Sequence, residues 1–531
     1  MTGLRAKLRR LLGGPSQETE TLNLPPGIRG ALERRETGRV LQWVQDVMTD
    51  RRSVPDLSTL LVAARQAGWS ESDLTKLEIL AYYYRGDWAE ALGRSEAFLT
   101  GGNFDPDLFV IILYSLNRLA RFEEAYQRLT ELGKRSHLFA GRSDFAIAAA
   151  LVCQSANQLD ETRHHLLNAW RLAPDNTLIA LNAYATFFEL GDMESFAEVQ
   201  AALDQGHHDL QSTGFSLAVV ALAQDRYEEG FRLLEQRYSM REAPRYLNQG
   251  LFALPRWQGE SLKGKVLLLS AEQGLGDTIQ MARFLPQVDA LDAASVFIEC
   301  QPPAVTLLQY NFPEFEIVVR EYGKAPRKAF DLWTGLMSLP FLLGIRTDTV
   351  PGTAGYLSIP AEHGEYWRGR LTEITRPHKP RIGLAWSGEP RHSADRRRSI
   401  PFEKIAAAIR AIDADFLALQ TAMPAVHPEN LIDVSEELVT LADTAALIAE
   451  MDLVITVDTS IVHLAGAIAK ETWLLLPYRY EWRWGLEGET NHWYESVKVL
   501  RQPSHGDWDS ILSEVFERRL PSRSWTNQEK S

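Results

Sequence analysis

One short pattern returns at a nearly fixed interval through the first half of this chain. It reads Gly86-Asp87-Trp88-Ala89-Glu90-Ala91, then Ala120-Arg121-Phe122-Glu123-Glu124-Ala125, then Gln158-Leu159-Asp160-Glu161-Thr162. Gly191-Asp192-Met193-Glu194-Ser195 and Asp225-Arg226-Tyr227-Glu228-Glu229-Gly230 follow. The large apolar residues Trp88, Phe122, Leu159, Met193 and Tyr227 lie 34, 37, 34 and 34 positions apart. In each copy a turn residue closes one helix and acidic residues open the next, where the helix dipole favours negative charge. The bulky residue is expected to pack on the preceding helix. A unit of this kind cannot bury its apolar face alone, so the copies must stack.

The period is that of a tetratricopeptide helix-turn-helix unit. We therefore expect tetratricopeptide-like helical repeats over residues 31–250, with 31–75 as a degenerate capping repeat. The proline expected near repeat ends is clear at Pro174. Residues 1–30 are expected to be an N-terminal tail, in which the basic, amphipathic stretch from Leu4 to Leu12 either frays or touches a membrane surface.

The texture changes near residue 255. Pro255, Trp257, Gly259 and Gly264 read as a linker, and Val266-Leu267-Leu268-Leu269-Ser270 as a buried strand. Further strand-like runs are Val296–Glu299, Glu316–Val319, Ile382–Trp386, Phe416–Leu419, Leu453–Val457, Thr472–Leu476 and Val497–Leu500. They alternate with helical patterns, which implies parallel sheets covered by helices on both faces. The expected class is thus a helical array followed by two Rossmann-like α/β domains, over 260–375 and 376–520. The break is placed at Thr375–Pro380, where prolines interrupt the pattern. Residues 521–531 are expected to be a disordered tail.

Composition narrows the function. Lys and Arg total 56 against 70 Asp and Glu, a net charge of -14, so nucleic acid is not an expected partner. No apolar run reaches the ~20 residues of a membrane span. The two cysteines, Cys153 and Cys300, fit a reducing cytoplasm. Neither has a Cys or His neighbour at zinc-ligand spacing, and no metal site is expected.

Three segments could carry chemistry. After the first strand, Glu272-Gln273-Gly274-Leu275-Gly276-Asp277-Thr278 turns tightly into a helix. Bare backbone at Gly274 and Gly276 could accept a polar ligand. A third glycine of the dinucleotide fingerprint is missing, since position 279 is Ile279. Asp277 stands where a general base would meet a hydroxyl, or is simply part of the helix cap. After the first strand of the second sheet come Trp386, Ser387 and the basic run Asp395-Arg396-Arg397-Arg398 before Pro401. Ligands of open α/β sheets bind at that edge, and guanidinium forks suit phosphates. In the third segment a strand runs into Asp458-Thr459-Ser460-Ile461-Val462-His463. Thr459 and Ser460 open a helix, and His463 lies one turn on along the same face. Downstream, Tyr478, Arg483 and Trp484 could stack on or neutralise a ligand, or pack the C-terminal lobe.

Taken in order, these motifs and the closing Gly506-Asp507-Trp508 resemble bacterial tetratricopeptide-glycosyltransferase proteins related to the heptosyltransferase-like family 9 group. The resemblance covers about residues 255–515. It implies a GT-B fold and an inverting transfer without a metal or cofactor, the donor being a nucleotide sugar. Asp277 matches the family's base. Arg398 stands where Lys is usual, as a phosphate contact. Asp458, Thr459, Ser460 and His463 match the donor-diphosphate loop, with Ser460 replacing a Gly or Ala. Gly274, Gly276, Trp386, Ser387 and Arg397 complete the expected donor side.

Similar proteins with this domain order modify flagellin with a nonulosonic acid on Ser or Thr. By that resemblance we expect a cytoplasmic protein O-glycosyltransferase whose repeats bind the protein acceptor. The alternatives are transfer to lipopolysaccharide or capsule, and a repeat adaptor without catalysis.

Overall fold

The computed structural model describes residues 57–100, 104–205, 214–239, 251, 254–321, 328–392, 394–479 and 481–525, with scattered positions between 30 and 40. The expected N-terminal tail, apart from its last residue, and residues 526–531 lie outside the described residues, as does most of the expected capping repeat before residue 57. The chain divides into two compact units, Met1–His165 and Leu166–Ser531.

The first unit holds α1 (Leu57–Gln66), α2 (Glu71–Arg85), α3 (Trp88–Thr100), α4 (Pro106–Arg118), α5 (Phe122–Thr130) and α6 (Ser143–Ser155). Helix α7 (Leu159–Leu172) begins there. The second unit continues with α8 (Thr177–Leu190), α9 (Met193–Asp204), α10 (Phe215–Ala223) and α11 (Tyr227–Leu234). Side-chain caps start several of them. Ser70 accepts the Asp73 N–H at 3.1 Å, and Asn176 accepts that of Ile179 at 3.2 Å. Asp105 caps α4, with Pro106 in the first turn.

The recurring turns share one backbone device. Gly86, Ala120, Asn157, Gly191 and Asp225 all have positive φ, and each lies two positions before the recurring bulky residue. The next residue then donates its N–H five positions back: Asp87 to Tyr82, Arg121 to Leu116, Gln158 to Cys153, Asp192 to Phe187, Arg226 to Ala221. This is the Schellman closure, which satisfies a helix-end carbonyl and reverses the chain. Glycine fills the left-handed position in only two copies, so the other three turns carry a strained non-glycine residue. Phe122 and Tyr227 are buried as expected, and Trp88 and Leu159 partly so. Met193 departs from the expectation: it is 43% exposed, and its Sδ accepts from Arg479 at 3.6 Å.

The remainder of the second unit holds two parallel sheets. The first has strand order β3-β2-β1-β4, with β1 Val266–Ser270, β2 Ser295–Cys300, β3 Glu316–Val319 and β4 Leu332–Gly335. The second has order β10-β9-β8-β5-β6-β7, with β5 Arg381–Ala385, β6 Asp415–Ala418, β7 Leu431–Ile432, β8 Leu453–Val457, β9 Thr472–Leu476 and β10 Val497–Arg501. Strands β8 and β9 are buried along their whole length, as central strands covered on both faces must be. All the strand-like runs of the sequence are strands. Short β4 and β7 carried no such signal.

Three details differ from the expected layout. The linker is bound rather than free: the Trp257 N–H donates to the Trp333 carbonyl at 2.8 Å, so the chain before β1 runs along β4. The helix Ala361–Ile374 packs on the helix Leu441–Ala449 and so belongs with the second sheet. Trp367 and Leu371 are fully buried, and Arg370 pairs with Glu437 at 3.1 Å. The passage between sheets therefore falls before Pro360, one helix earlier than residue 375. Finally, residues 521–525 are fixed: Arg523 pairs with Glu471 at 2.8 Å, and Trp525 packs against the second core.

Candidate functional site

Two helices bring the sheets together. Helix α12 (Leu275–Ala282) follows β1, and α13 (Ser460–Ala467) follows β8. They meet at Gly276, where a Cβ would stand 2.7 Å from His463 Cδ2 and 3.5 Å from the Ser460 Cα. Only a residue without a side chain allows this approach. Asp277 thus comes next to the opening turn of α13.

The Asp277 carboxylate is held on both oxygens. Oδ2 accepts the Gly274 N–H at 2.9 Å, closing the helix cap, and Oδ1 accepts Arg483 Nη2. Of the two roles read from sequence, the helix cap is the one these contacts make. Arg483 is buried. It also donates through Nε to Gln280 Oε1 at 2.6 Å and through Nη1 to Glu481 Oε2 at 2.5 Å. Glu481 has φ 59°, a left-handed conformation that is costly for a glutamate. The sequence leaves Arg483 open between meeting a ligand and packing the lobe; its partners here are the chain's own Asp277, Glu481 and Gln280.

Asp458 is buried beside these groups. Burial, and then the charge of Glu481, push its carboxyl up to about 7, although Arg398 and Arg483 pull the other way. Arg398 donates Nη1 to the Asp458 carbonyl at 2.9 Å and Nε to Asp395 Oδ1 at 3.1 Å. Thr459 caps α13 by accepting the Ile461 N–H at 3.2 Å, with Ser460 as the first helical residue. His463 is buried, and its Nδ1 lies 3.0 Å from Tyr494 Oη. Burial first, then the charges of Arg483 and Arg283, hold its pKa well below the ordinary histidine value, so the ring is neutral.

The loop after β5 is organised by a residue that carried no sequence signal. Gln420 Oε1 accepts the N–H groups of Trp386 and Ser387 at 2.6 and 2.8 Å, and its Nε2 donates to Ser387 Oγ at 2.7 Å. Trp386 itself is a core residue, in ring contact with Phe402. Arg397 is turned elsewhere: its Nη1 meets Glu189 Oε1 of α8 at 2.5 Å. His392 lies on the same loop, its Nδ1 accepting the Ala394 N–H at 3.2 Å. Its pKa is lowered, first by burial and then by Arg398, while the charges of Asp395 and Asp277 oppose that shift.

A second ionic group ties the last repeat to the first sheet. Arg237 donates to both Glu272 oxygens at 2.7 Å, and also to Ser338 Oγ at 2.8 Å. A Cβ at Gly335 would fall 1.6 Å from Glu272 Oε1, so glycine is required there. Glu272, the first acidic residue of the motif, is therefore an anchor for the helical array. Among the described residues, no group of His, Cys, Asp and Glu at metal-ligand spacing includes Asp277, Asp458 or His463.

The crossing at Gly276 brings a carboxylate after the first sheet next to arginines, hydroxyls and a helix N-terminus of the second. With the helical array before it, this is the architecture expected from the sequence: stacked helices followed by two parallel α/β sheets. No family model matches the chain. It is 27% identical over 378 residues to protein FlbA of Caulobacter vibrioides, covering 65% of this chain and 61% of that one. The chain thus spans less than two thirds of that relative's length. Among solved structures it is similar to a family 9 glycosyl transferase from Veillonella parvula, with a TM-score of 0.32, 14% identity, and coverage of 49% of this chain and 91% of that one. It is also similar to the ADP-heptose lps heptosyltransferase II of E. coli, with a TM-score of 0.34, 13% identity, and coverage of 47% and 97%. For an O-GlcNAc transferase of Thermobaculum terrenum the TM-score is 0.32 and the identity 11%, with coverage of 73% and 78%.

Proposed function

We propose that the chain is a glycosyltransferase that moves a sugar from a nucleotide-sugar donor to Ser or Thr of a protein. The observation that carries this reading is the crossing at Gly276, which sets the Asp277 carboxylate beside the basic, hydroxyl-rich edge of the second sheet. The donor phosphate would lie between Arg398 and the Thr459–Ser460 turn, where backbone N–H groups and a guanidinium favour an anion. The acceptor hydroxyl would pass its proton to Asp277 as its oxygen attacks the anomeric carbon. The sugar–phosphate bond breaks, and the nucleotide leaves with the electron pair, stabilised by the same basic edge. The anomeric centre inverts in this single displacement, and no step calls for a metal.

Asp277 already accepts from Gly274 and Arg483, and each carboxylate oxygen keeps a second lone pair for the incoming hydroxyl. The helical repeats would hold the acceptor polypeptide and raise its local concentration. Flagellin and a nonulosonic acid are the acceptor and sugar we test first.

The experiment is the intact mass of flagellin and of other secreted and surface proteins, with and without this gene. The reading expects a sugar-sized mass loss that wild type restores and Asp277→Ala does not. Unchanged protein masses together with an altered surface glycan would replace it with transfer to lipopolysaccharide or capsule. Full restoration by Asp277→Ala would remove the catalytic role.

A further inference from the structure

Away from these residues, one helical hairpin gathers three metal-ligating side chains that are scattered in sequence. Cys153 stands in the last turn of α6, and Glu161 and His165 lie one turn apart on α7. The closure at Asn157, with φ 61°, folds α7 back so that all three meet. Their ligand atoms lie within 4.8 Å of one another, and Cys153 Sγ is 3.7 Å from Glu161 Oε2. No spacing along the chain points to this cluster, because neither cysteine has a Cys or His at zinc-ligand spacing.

We propose that Cys153, Glu161 and His165 form a binding site for a divalent transition metal, with zinc the best match. A tetrahedral zinc with bonds of about 2.0–2.3 Å keeps its ligand atoms roughly 3.3–3.8 Å apart, and the sulfur–oxygen pair already has that separation. Residues four apart on a helix share a face, so Glu161 and His165 approach the metal from one side and Cys153 from the other. One sulfur, one nitrogen and one oxygen donor suit zinc better than calcium or magnesium, which take oxygen ligands. On binding, Cys153 releases its proton to solvent. The thiolate and carboxylate then balance the two positive charges, and water fills the fourth position.

Two further features fit. Tyr126 Oη on α5 donates to Glu161 Oε1 at 2.7 Å, which fixes the carboxylate and leaves Oε2 facing the thiol. Outer partners that orient a ligand in this way are a regular part of metal sites. Glu161 is exposed and His165 half-buried, so an ion can enter from solvent, while buried Cys153 forms the floor. The ion would join both helices of the hairpin and, through Tyr126, the helix before it.

The test uses the full chain, stripped with a chelator and titrated with Zn²⁺ by calorimetry and with Co²⁺ by absorption. One equivalent should bind, and Co²⁺ should give thiolate-to-metal charge-transfer absorption in the near ultraviolet. Cys300→Ser should keep that band, and Cys153→Ser should lose it. His165→Ala and Glu161→Gln should each weaken binding at least tenfold, and Tyr126→Phe by about 10–100-fold. Absence of stoichiometric binding, a band that survives Cys153→Ser, or affinity unmoved in His165→Ala would overturn the site. If circular dichroism shows that Cys153→Ser does not fold, the half-buried His165→Ala and the exposed Glu161→Gln decide the matter.

Discussion

Arg483 Nη2 donates to Asp277 Oδ1, and this one ion pair joins a loop of the second sheet to the first helix of the first sheet. The two residues are 206 positions apart. The same guanidinium holds Gln280 and Glu481, so it serves three partners from a nearly closed environment. Removing one member of a buried ionic group leaves the others uncompensated.

Arg483→Ala is therefore expected to lower unfolding stability by about 3–5 kcal/mol. Arg483→Lys should recover only part of this, since an ammonium cannot replace a planar fork. Urea unfolding followed by tryptophan fluorescence checks both. A loss below about 1 kcal/mol for the alanine variant would mean that the pair holds nothing together.

Gly276→Ala places a Cβ 2.7 Å from the His463 ring. Overpacking of this kind costs about 1–3 kcal/mol and here would push α12 and α13 apart. The same change at Gly274, where the nearest atom lies at 3.4 Å on the flexible Asp277 carboxylate, should cost less. Melting curves of the two variants should differ in that order, and equal curves would contradict the close helix crossing.

Asp458 has its carboxyl raised to about 7 from an ordinary 3.8. Between those values the folded chain keeps a proton that the unfolded chain has shed. Its contribution to stability is thus complete below pH 3.8 and is lost as pH rises through about 7. His463 acts in the opposite sense: its depressed pKa loses stability as pH falls below 6.5. The difference between wild type and Asp458→Asn isolates the carboxyl. Urea midpoints at about pH 5 and about pH 8 should show a smaller fall for the variant. Parallel pH dependence in the two proteins would refute the raised carboxyl.

Arg397 and Glu189 link the basic run of the second sheet to α8. A double-mutant cycle on Arg397→Met and Glu189→Gln should give a coupling energy of about 0.5–3 kcal/mol, as expected for side chains in contact. Additive effects would show that the pair is incidental.

Several features could be read from the chain without its structure, because each rests on local geometry. The repeat period appears in the spacing of Trp88, Phe122, Leu159, Met193 and Tyr227. The central strands appear as unbroken apolar runs, since a strand covered on both faces has no polar side. Asp277, Arg398 and Thr459 could be placed in the segments that follow β1, β5 and β8. The left-handed turns were visible as glycine only at Gly86 and Gly191. At Ala120, Asn157 and Asp225 the surrounding helices impose the same conformation.

What the sequence determined by itself was the order of elements and the residue types at their ends, because helix and strand periods are set by neighbours along the chain. Only the tertiary structure decided which side chains meet. It placed Arg483 on Asp277, turned Arg397 toward Glu189, let Gln420 hold the Trp386–Ser387 backbone, and brought Cys153, Glu161 and His165 to one point. Those pairings depend on how layers pack across long separations, and a buried charge takes whichever partner the packing brings within hydrogen-bond reach.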